Sequence, residues 1–492
     1  FHILNPEKNK SSGIIMRSHF LSLKIIAIII LVAIFWIGLF FITSLVSERQ
    51  AYQQAFLKEI SQNNISPQTI VAPYIQVPYQ EQKTCLDEQK KSYPCTEENW
   101  MYIGADSTQW TSNFNVSDDT YKRTIYRAIT YQANLTAKGI FQKTQLENKT
   151  YLWDRAEIIF PVHDPRGLDQ QPILKILNKN YAFEMSAQGS DRSGFDFMHI
   201  SAKKYPELIS AIQNGFHFDL TANLTGLSKF TLIPTSRSVT YQAKGNWADI
   251  KYDGQNLPYD KTSTQQQFNA QWKNIAIGHQ NLNKFIHCES DECTRQFVQG
   301  NYLQKENYAE TAGYTPINHE KVGLSAEFLE SVNVYTQTDR AIKYGIVIII
   351  ITFGCFFLFE VLKGLRIHPI QYSLVAMAQG IFFVLLLSIS EYYAFAWAYI
   401  VAAMACIGLM TWYLYFVMKG FKAAALFSII LMTLYSIMYM LLQSSGKTFL
   451  IGSVISFIIL AVVMFITRHI DWYSIGNKPT PTLKSYTPSN SE

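Results

Sequence analysis

Recognisable catalytic motifs are missing from this chain of 492 residues. The patterns G-x-S-x-G, H-E-x-x-H and G-x-G-x-x-G do not occur, so the sequence gives no support to the hydrolase, metalloprotease and dinucleotide sites that use them. Long blocks of basic residues, and basic residues interleaved with aromatic ones, are also lacking. The net charge of +5 therefore gives no indication of nucleic-acid binding.

Charged residues become sparse after Tyr344, and long apolar runs take their place. A bilayer core about 30 Å thick requires roughly 20 apolar residues in a helix. Six segments meet this requirement and are predicted to span a membrane: 25–46, 344–362, 369–389, 394–418, 423–442 and 448–466. The mean hydropathy is near zero because these spans and a long polar segment offset each other.

Lysine and arginine near the ends of the spans predict the orientation, because they accumulate on the cytoplasmic side of a membrane. They precede the first span and occupy the connections after the second, fourth and sixth spans. The alternate connections contain one basic residue, Lys447. Both termini are therefore predicted to be cytoplasmic, and the segment between the first two spans is predicted to lie outside the cytoplasm.

The first span is interpreted as an uncleaved anchor. Its apolar run is about 22 residues long, whereas the core of a signal peptide has about 7–15, and no A-x-A-like site follows it. A cleaved signal peptide is the alternative. Met16, which stands directly before Arg17 and the anchor, is the expected natural start, with residues 1–15 as an upstream extension.

Four of the six cysteines lie in the segment predicted to be outside, as two close pairs. The pairs are Cys85 with Cys95 and Cys288 with Cys293. Close pairs in an oxidising compartment predict two local disulfides, although bonds between the two pairs are an open alternative. A metal site including His287 is the rival interpretation, but the C-x-x-C spacing and second histidine of zinc sites are missing.

The same segment has the composition of a β-rich domain. Stretches rich in Tyr, Thr, Ile and Val alternate with turn sequences such as HDPRG and YDGQNLP, which is typical of an antiparallel sandwich or a barrel-like fold. These stretches are 120–141, 156–162, 216–226, 229–236, 238–247 and 268–277. A helix over 51–64 is expected to precede them.

The predicted fold class is a mixed membrane protein with six transmembrane α-helices, one N-terminal and five C-terminal, and a large β-rich domain between the first and second. The predicted domains are a cytoplasmic segment 1–24, transmembrane helix 25–46, a β-rich domain 47–343, a five-helix bundle 344–467 and a cytoplasmic tail 468–492. The partner that this organisation requires is a lipid bilayer. The sequence indicates no cofactor and no metal.

Glu360 and Glu391 are the acidic residues of greatest interest near the membrane. An ionisable side chain inside a span is costly and indicates function, but Glu360 lies near the cytoplasmic end of its span. It either pairs with Lys363, three residues on, and anchors the helix end, or belongs to a proton or ion relay. Glu391 is expected at the outer interface beside Tyr392 and Tyr393, which suit a headgroup-level aromatic belt.

Further charged residues mark the ends of spans. His368 and Pro369 are expected to start the third transmembrane helix, where proline costs no hydrogen bond. A mixed-charge group lies where the chain enters the second span and either couples the domain to the bundle or forms a solvated helix turn: Asp339, Arg340, Lys343 and Tyr344. Arg366 precedes the third span, and Arg468, Asp471, Trp472 and Tyr473 follow the sixth.

One turn of the β-rich domain contains candidate functional residues. In HDPRG, an aspartate stands before proline and a glycine follows, which is typical of a turn. A periplasmic enzyme site built from His163, Asp164 and Arg166 is the alternative interpretation.

Several long motifs identify the chain as similar to a known family. They are YTQTDRAIKYGI, FFLFEVLKGLRIHPIQYSLV, FFVLLLSISEYYAF and FITRHIDWYSI near the membrane, with VAPYIQVPY, PVHDPRGL and NLTGLSKFTLIPTS in the domain. Together they resemble the inner membrane protein CreD family from Met16 onward. The two cysteine pairs depart from that pattern.

The resemblance implies a Gram-negative inner-membrane protein with a periplasmic domain, associated with envelope integrity, altered colicin sensitivity and control by a carbon-source-responsive two-component system. It supplies no catalytic residues. The positions that match the family motifs are Asp164, Arg166 and Gly167 in the domain and, near the membrane, Asp339, Arg340, Lys343, Tyr344, Glu360, Arg366, His368, Pro369, Tyr372, Glu391, Arg468, Asp471, Trp472 and Tyr473.

The sequence favours a non-enzymatic envelope protein involved in the envelope stress response. Its periplasmic domain would bind or scaffold envelope components, and its bundle would hold the domain at the membrane and transmit its state inward. Its protein partners are unknown. A transporter or flippase-like protein that uses the five-helix bundle is the alternative.

Overall fold

We describe a computed structural model of the chain. The structure describes residues 8–86, 92–123, 125–144, 149–185, 195–264, 266–275, 277–288, 297, 301–303, 319–330, 334–363, 367–417, 420–443 and 448–468. The chain divides into two compact units. The membrane unit comprises Phe1–Tyr52 and Val332–Glu492, and the β domain comprises Gln53–Ser331.

The helices in the described part of the chain are α1 (Lys8–Asn63), α2 (Glu207–Asn214), α3 (Ile277–Ile286), α4 (Val334–Lys363), α5 (Pro369–Ser390), α6 (Phe395–Val417), α7 (Phe421–Gln443) and α8 (Thr448–Thr467). Five of these are long and apolar enough to cross a membrane, namely α1, α4, α5, α6 and α7. Helix α8 contains a shorter apolar segment, Leu450–Phe465. The predicted helix over 51–64 is confirmed, because α1 continues to Asn63.

The strands of the β domain are β1 (Gln68–Val71), β2 (Tyr74–Leu86), β3 (Ser92–Gly104), β4 (Ser107–Arg123), β5 (Tyr126–Phe141), β6 (Thr150–Tyr151), β7 (Glu157–Val162), β8 (Ile173–Ile176), β9 (Lys179–Ala182), β10 (Glu184–Met185), β11 (Asp196–Ser201), β12 (Phe216–Leu227), β13 (Lys229–Ile233), β14 (Ser238–Gly245), β15 (Ile250–Gly254), β16 (Asp260–Ser263), β17 (Phe268–Ile275), β18 (Asn301–Leu303), β19 (His319–Lys321) and β20 (Leu324–Phe328). The predicted fold class, apolar helices with a β-rich domain between them, is therefore confirmed.

Two large sheets form the domain. The eight-stranded sheet has the order β16-β17-β14-β4-β5-β12-β8-β9. The ten-stranded sheet has the path β10-β11-β7-β1-β13-β20-β15, with β2, β3 and β6 joined through β7. The expectation of a purely antiparallel arrangement is wrong at two places, because β1 pairs with β13 and β14 pairs with β4 in parallel. The stretch 120–141 is also not one strand, since it covers the end of β4 and all of β5.

The hydrophobic core lies between the two sheets and joins residues from both. On β12, the apolar residues at alternate positions from Phe216 to Leu224 are buried, while the polar residues between them are not. This period of two directs one face of each strand to the core. The ring of Phe114 in the eight-stranded sheet lies 5.3 Å from that of Phe230 in the ten-stranded sheet, with an edge-on geometry. Full burial of such a side chain stabilises the fold by about 1.5–3 kcal/mol.

Strands β2 and β3 form a long hairpin that was not predicted from the sequence. A disulfide joins Cys85 and Cys95 across this hairpin, with a Cα–Cα distance of 5.8 Å, as the close spacing predicts. Cys288 is disulfide-bonded as well, and its predicted partner Cys293 lies outside the described residues.

Helices α4 to α7 pack as neighbours in the membrane unit, with α7 also next to α4. Aromatic side chains fill the interior. Phe382 of α5 lies edge-on to Tyr399 of α6 and to Tyr435 of α7, at centroid distances of 5.5 and 4.8 Å. Many large apolar side chains on the outside of these helices are exposed, which is the distribution expected of helices that contact lipid tails.

Candidate functional site

The HDPRG sequence forms a tight turn at the end of β7. Asp164 caps one turn of 3-10 helix, Pro165–Gly167, and its side chain accepts a hydrogen bond from the backbone N–H of Arg166. Proline fits the first position of this turn because it needs no N–H there and has a suitable φ. The structure therefore forms the turn predicted from the sequence.

Arg166 reaches from this turn to the carboxyl end of α1. Its guanidinium Nη1 donates to the carbonyl of Gln62 at 2.8 Å, and Nη2 donates to the carbonyl of Ser61 at 3.1 Å. The last carbonyls of a helix have no partner within the helix and carry partial negative charge. A guanidinium at this position donates hydrogen bonds to these carbonyls and places a positive charge beside them, so Arg166 caps α1.

Asp164 holds the arginine in place. Arg166 Nε donates to Asp164 Oδ1 and Nη2 donates to Oδ2, both at 2.8 Å, which is a two-point ion pair. Ser66, just beyond α1, donates to Oδ2 from its backbone N–H at 3.0 Å and from its hydroxyl at 2.7 Å. We call Asp164, Arg166 and Ser66 the helix-end clamp.

The clamp sets the charge state of Asp164, which is only 5% exposed. Burial by itself raises the pKa of this carboxyl. Hydrogen bonds from Arg166 and Ser66 favour the carboxylate and outweigh burial, so the pKa of Asp164 lies below its ordinary value. The aspartate is therefore an anion at neutral pH. Because its oxygens accept hydrogen bonds from Arg166 and Ser66, the group suits holding a backbone better than transferring protons.

Apolar and charged contacts support the end of α1 on the same domain. Phe56 and Ile60 pack into a small buried cluster with residues of the strands. Glu59 forms a two-point ion pair with Arg123 of β4, with both N···O distances at 2.7 Å. Exposed ion pairs of this kind contribute little stability alone, so the buried cluster and the clamp account for most of the attachment.

Gly167 is required by the closeness of the turn to the sheet. A Cβ at this position would collide with the carbonyl oxygen of Thr225 and with the side-chain amide of Gln68. Any larger residue would push the turn away from β1 and β12. Glycine therefore allows Asp164 and Arg166 to lie next to the end of α1.

A cleft of about 370 Å³ opens beside the clamp. It is lined by Ser61, Ser66, His163, Asp164, Pro165, Arg166 and Asp196. Burial, and next the negative charge of Asp164, raise the pKa of Asp196. Within the described residues, no group of three or more His, Cys, Asp or Glu side chains is placed to hold a metal ion.

Glu360 lies at a contact between α4 and α5. The Tyr372 hydroxyl donates to its Oε2 at 3.0 Å, and the backbone N–H of Ile367 donates to Oε1 at 3.3 Å. The predicted pairing of Glu360 with Lys363 involves a side chain outside the described part of the structure. Arg366 also lies outside the described residues. The contact with Tyr372 was not predicted, because it joins residues of two helices.

His368 begins α5 as predicted. Its imidazole Nδ1 accepts from the N–H of Ile370, and the Gln371 side chain accepts from the N–H of His368, which together form a capping box. At the other end of α5, the carboxylate of Glu391 lies 3.7 Å from the guanidinium Nε of Arg49 on α1, and its side chain is 9% exposed. Arg49 was not among the predicted residues.

The mixed-charge group at the start of α4 forms a local contact. Lys343 Nζ lies 2.6 Å from a carboxylate oxygen of Asp339, one turn earlier on the same helix. Arg340 is exposed, and Tyr344 is half-buried. After α8, the Arg468 guanidinium lies 4.2 Å from the ring centre of Phe465. Asp471, Trp472 and Tyr473 lie outside the described residues.

Polar contacts between the membrane helices were not found from sequence. Gln379 of α5, which is 1% exposed, donates from Nε2 to the Thr352 hydroxyl of α4 at 2.7 Å. The Tyr399 hydroxyl of α6 donates to the carbonyl of Tyr435 on α7 at 2.6 Å. Such contacts fix which helix faces meet in a bilayer, where apolar side chains discriminate little between partners.

These features define a class of protein: a multi-pass membrane protein with a large two-sheet domain between its first membrane helix and the others. The family model for inner membrane protein CreD matches residues 20–473. Inner membrane protein CreD of Escherichia coli (strain K12) is 28% identical over 444 residues, which cover 89% of this chain and 90% of that protein. The chain belongs to the inner membrane protein CreD family.

Proposed function

We propose that this protein supports the integrity of the cell envelope from the inner membrane without catalysing a reaction. In this proposal the β domain lies in the periplasm and both termini lie in the cytoplasm, as the distribution of lysine and arginine predicts. The domain binds or scaffolds envelope components, and the membrane helices hold it at the bilayer.

The observation that carries the proposal is the Cys85–Cys95 disulfide in a domain that is flanked along the chain by membrane helices. Disulfides persist in the oxidising periplasm and are rare in the cytoplasm. Membership in an inner-membrane family supports the placement of the apolar helices in the inner membrane. The candidate residues Asp164 and Arg166 bind backbone groups of their own chain, which supports a structural role in place of catalysis.

The helix-end clamp belongs to this proposal because it holds the carboxyl end of α1. Helix α1 runs from Lys8 to Asn63 and carries a candidate membrane span. The clamp binds the last carbonyls of that helix. A change at Asp164, Arg166 or Ser66 is therefore expected to act on the end of a helix that carries a membrane span.

Complementation tests this proposal. The gene is deleted in its host, and an envelope defect such as detergent sensitivity is measured. The defect is then complemented with the full-length chain, with Arg166→Gln, with Glu360→Gln, with Glu391→Gln and with a chain that lacks residues 50–335, each shown to reach the membrane. We expect the truncated chain to fail, Arg166→Gln to complement partly, and both glutamate variants to complement fully.

The alternative is a transporter or flippase-like protein that uses the bundle. The polar side chain of Gln379 and the carboxylate of Glu360 are the features that this alternative would use. Failure of Glu360→Gln, with normal amounts in the membrane, would favour transport. Full complementation by the chain without residues 50–335 would contradict a function in the β domain.

A further inference from the structure

The outer face of the eight-stranded sheet has an unusual composition. Strands β4, β5 and β12 each alternate between buried residues, most of them apolar, and outward polar ones. The outward residues are mostly amides and hydroxyls: Gln109, Thr111, Asn113 and Asn115 on β4; Gln132, Asn134, Thr136 and Lys138 on β5; His217, Asp219, Thr221, Asn223 and Thr225 on β12. We call this surface the Asn–Thr face.

The register of the strands arranges these residues in rows. Asn134 lies opposite Asn113 on one side and Asn223 on the other. In the next row, Thr136 lies between Thr111 and Thr221. Neighbouring strands are about 4.8 Å apart, and successive outward residues on one strand are about 7 Å apart. The rows therefore form a regular grid of hydrogen-bonding groups.

Folding alone does not account for the asparagine row. Asparagine is depleted in strands because its amide competes with the backbone for hydrogen bonds, whereas threonine is favoured there. Solubility is ordinarily provided by mixed charged residues, but Lys138 and Asp219 are the fully charged side chains of the Asn–Thr face. Positions that contradict local preference in this way are expected at functional sites.

One end of the face adjoins a cleft of about 430 Å³ with an excess of basic side chains. Lys138 of β5 and Lys175 of β8 both lie opposite Asp219 of β12, so two lysines flank one carboxylate, and His217 lies nearby. Leu177, in the turn between β8 and β9, lines the same cleft. It has a φ of 47° and is 74% exposed.

The turn at Leu177 costs energy in two ways. A positive φ is unfavourable for a branched side chain such as leucine, and two-residue hairpin turns of this kind prefer asparagine or glycine. The apolar side chain of Leu177 is also left exposed to water, which is unfavourable. Such strain is concentrated at binding sites, and an apolar side chain at the rim of a polar cleft suits the apolar face of a sugar ring.

We propose that the Asn–Thr face and its basic cleft bind a glycan strand that carries acetamido and carboxylate groups, which is the chemistry of peptidoglycan. Amides and hydroxyls both donate and accept hydrogen bonds, as the acetamido and hydroxyl groups of such a strand do. The lysines of the cleft complement its carboxylates, and the repeated rows of the face suit an extended polymer. The proposal rests on the periplasmic location of the domain proposed above.

Binding of the full-length protein in nanodiscs to peptide-free peptidoglycan glycan strands tests the proposal. In one variant, Asn113, Asn134 and Asn223 are each replaced by Ala. The control variant carries Gln80→Ala, Gln82→Ala and Thr96→Ala, which are exposed strand residues of the other sheet. We expect affinity to fall about tenfold or more in the first variant, because three hydrogen-bonding side chains are lost, and to remain unchanged in the control.

A second variant distinguishes a loss of binding from a loss of folding. Thr111→Val, Thr136→Val and Thr221→Val together keep the β-branched shape of the row but remove its hydroxyls. The thermal unfolding of each variant is compared with that of the unchanged chain. We expect the valine variant to unfold at the same temperature or higher and to bind glycan strands more weakly.

The lysines are tested with a pair of probes. With Lys138→Ala and Lys175→Ala together, we expect weaker binding of the carboxylate-bearing strands, with a smaller dependence on salt. Binding of chitohexaose, a neutral acetamido oligosaccharide, should change little. If the unchanged chain binds neither probe, or if the asparagine variant binds as the control does, the proposal is wrong. Complementation by the same variants would show whether the envelope function is retained when glycan binding is lost.

Discussion

Asp164 is the residue on which the helix-end clamp depends, because it accepts hydrogen bonds from both Arg166 and Ser66. We predict that Asp164→Asn destabilises the β domain by about 1–3 kcal/mol, since the amide nitrogen that replaces one oxygen is a donor and faces donors. Amide hydrogen exchange should accelerate in residues 53–63 of α1.

Asp260→Asn serves as the control for this change, because Asp260 is an exposed aspartate on β16. It should leave hydrogen exchange in α1 unaltered. Equal exchange in the Asp164→Asn and Asp260→Asn variants would mean that the clamp does not hold the helix end.

Asp196, which lines the cleft beside the clamp, provides a pH-dependent prediction. Its pKa is raised, so its contribution to stability is present at pH values below its ordinary pKa and is lost as the pH rises through the raised value. We predict that Asp196→Asn raises the unfolding temperature of the β domain at about pH 7. The gain should disappear near pH 3, where the aspartate is protonated in both states.

The contribution of Asp164 to stability depends on pH in the opposite direction. Its pKa is lowered, so its stabilisation is present above its ordinary pKa and lost as the pH falls through the lowered value. The pH titration of the unchanged chain therefore includes a loss of stability at acid pH that the Asp164→Asn variant lacks.

For Asp196→Asn, an equal change in unfolding temperature at pH 7 and at pH 3 would mean that the charge of Asp196 does not cause the change.

A polar contact joins helices α4 and α5. Gln379 and Thr352 are buried and hydrogen-bonded to each other inside the bundle. We predict a coupling free energy of about 0.6–1.7 kcal/mol between Gln379→Ala and Thr352→Ala in a double-mutant cycle of unfolding in detergent.

Thr433 and Ser436 are the matched control pair for this cycle. Both are exposed on α7, and each hydroxyl donates to a backbone carbonyl of its own helix. Their coupling should be near zero. A similar coupling for both pairs would indicate that the measurement reports general helix stability and not the contact between α4 and α5.

Orientation in the membrane is a prediction about the whole molecule. If the β domain is periplasmic, a cysteine introduced at Thr262, an exposed position of β16, will react with a membrane-impermeant thiol reagent in intact cells with a permeabilised outer membrane. A cysteine introduced at Lys484, in the predicted cytoplasmic tail, will react only after the inner membrane is disrupted. Cys355 and Cys406 are replaced by serine beforehand, because both are free thiols.

Labelling of the Lys484 position in intact cells would contradict the predicted location of the C-terminus. Protection of the Thr262 position would contradict a periplasmic β domain, and with it the proposed contact with glycan strands. The two positions together therefore test the positive-inside prediction independently of any function.

Local patterns in the sequence predicted the membrane helices and the class of the domain. Runs of about 20 apolar residues are sufficient to recognise spans, and each of the six segments coincides with a helix. Alternation with a period of two revealed β7, β12, β13, β14 and β17. The hairpin of β2 and β3 was missed because Pro78 and a series of charged residues obscure its alternation.

Residues close together in the chain were sufficient to predict the apolar spans and the β-rich class of the domain, and their close spacing favoured the Cys85–Cys95 pair. The tertiary fold was needed to show that Arg166 caps carbonyls 104 and 105 residues away and that asparagines of β4, β5 and β12 form one row. These arrangements depend on strand register and on the packing of distant segments, which are set by the free energy of the whole fold and leave no local pattern.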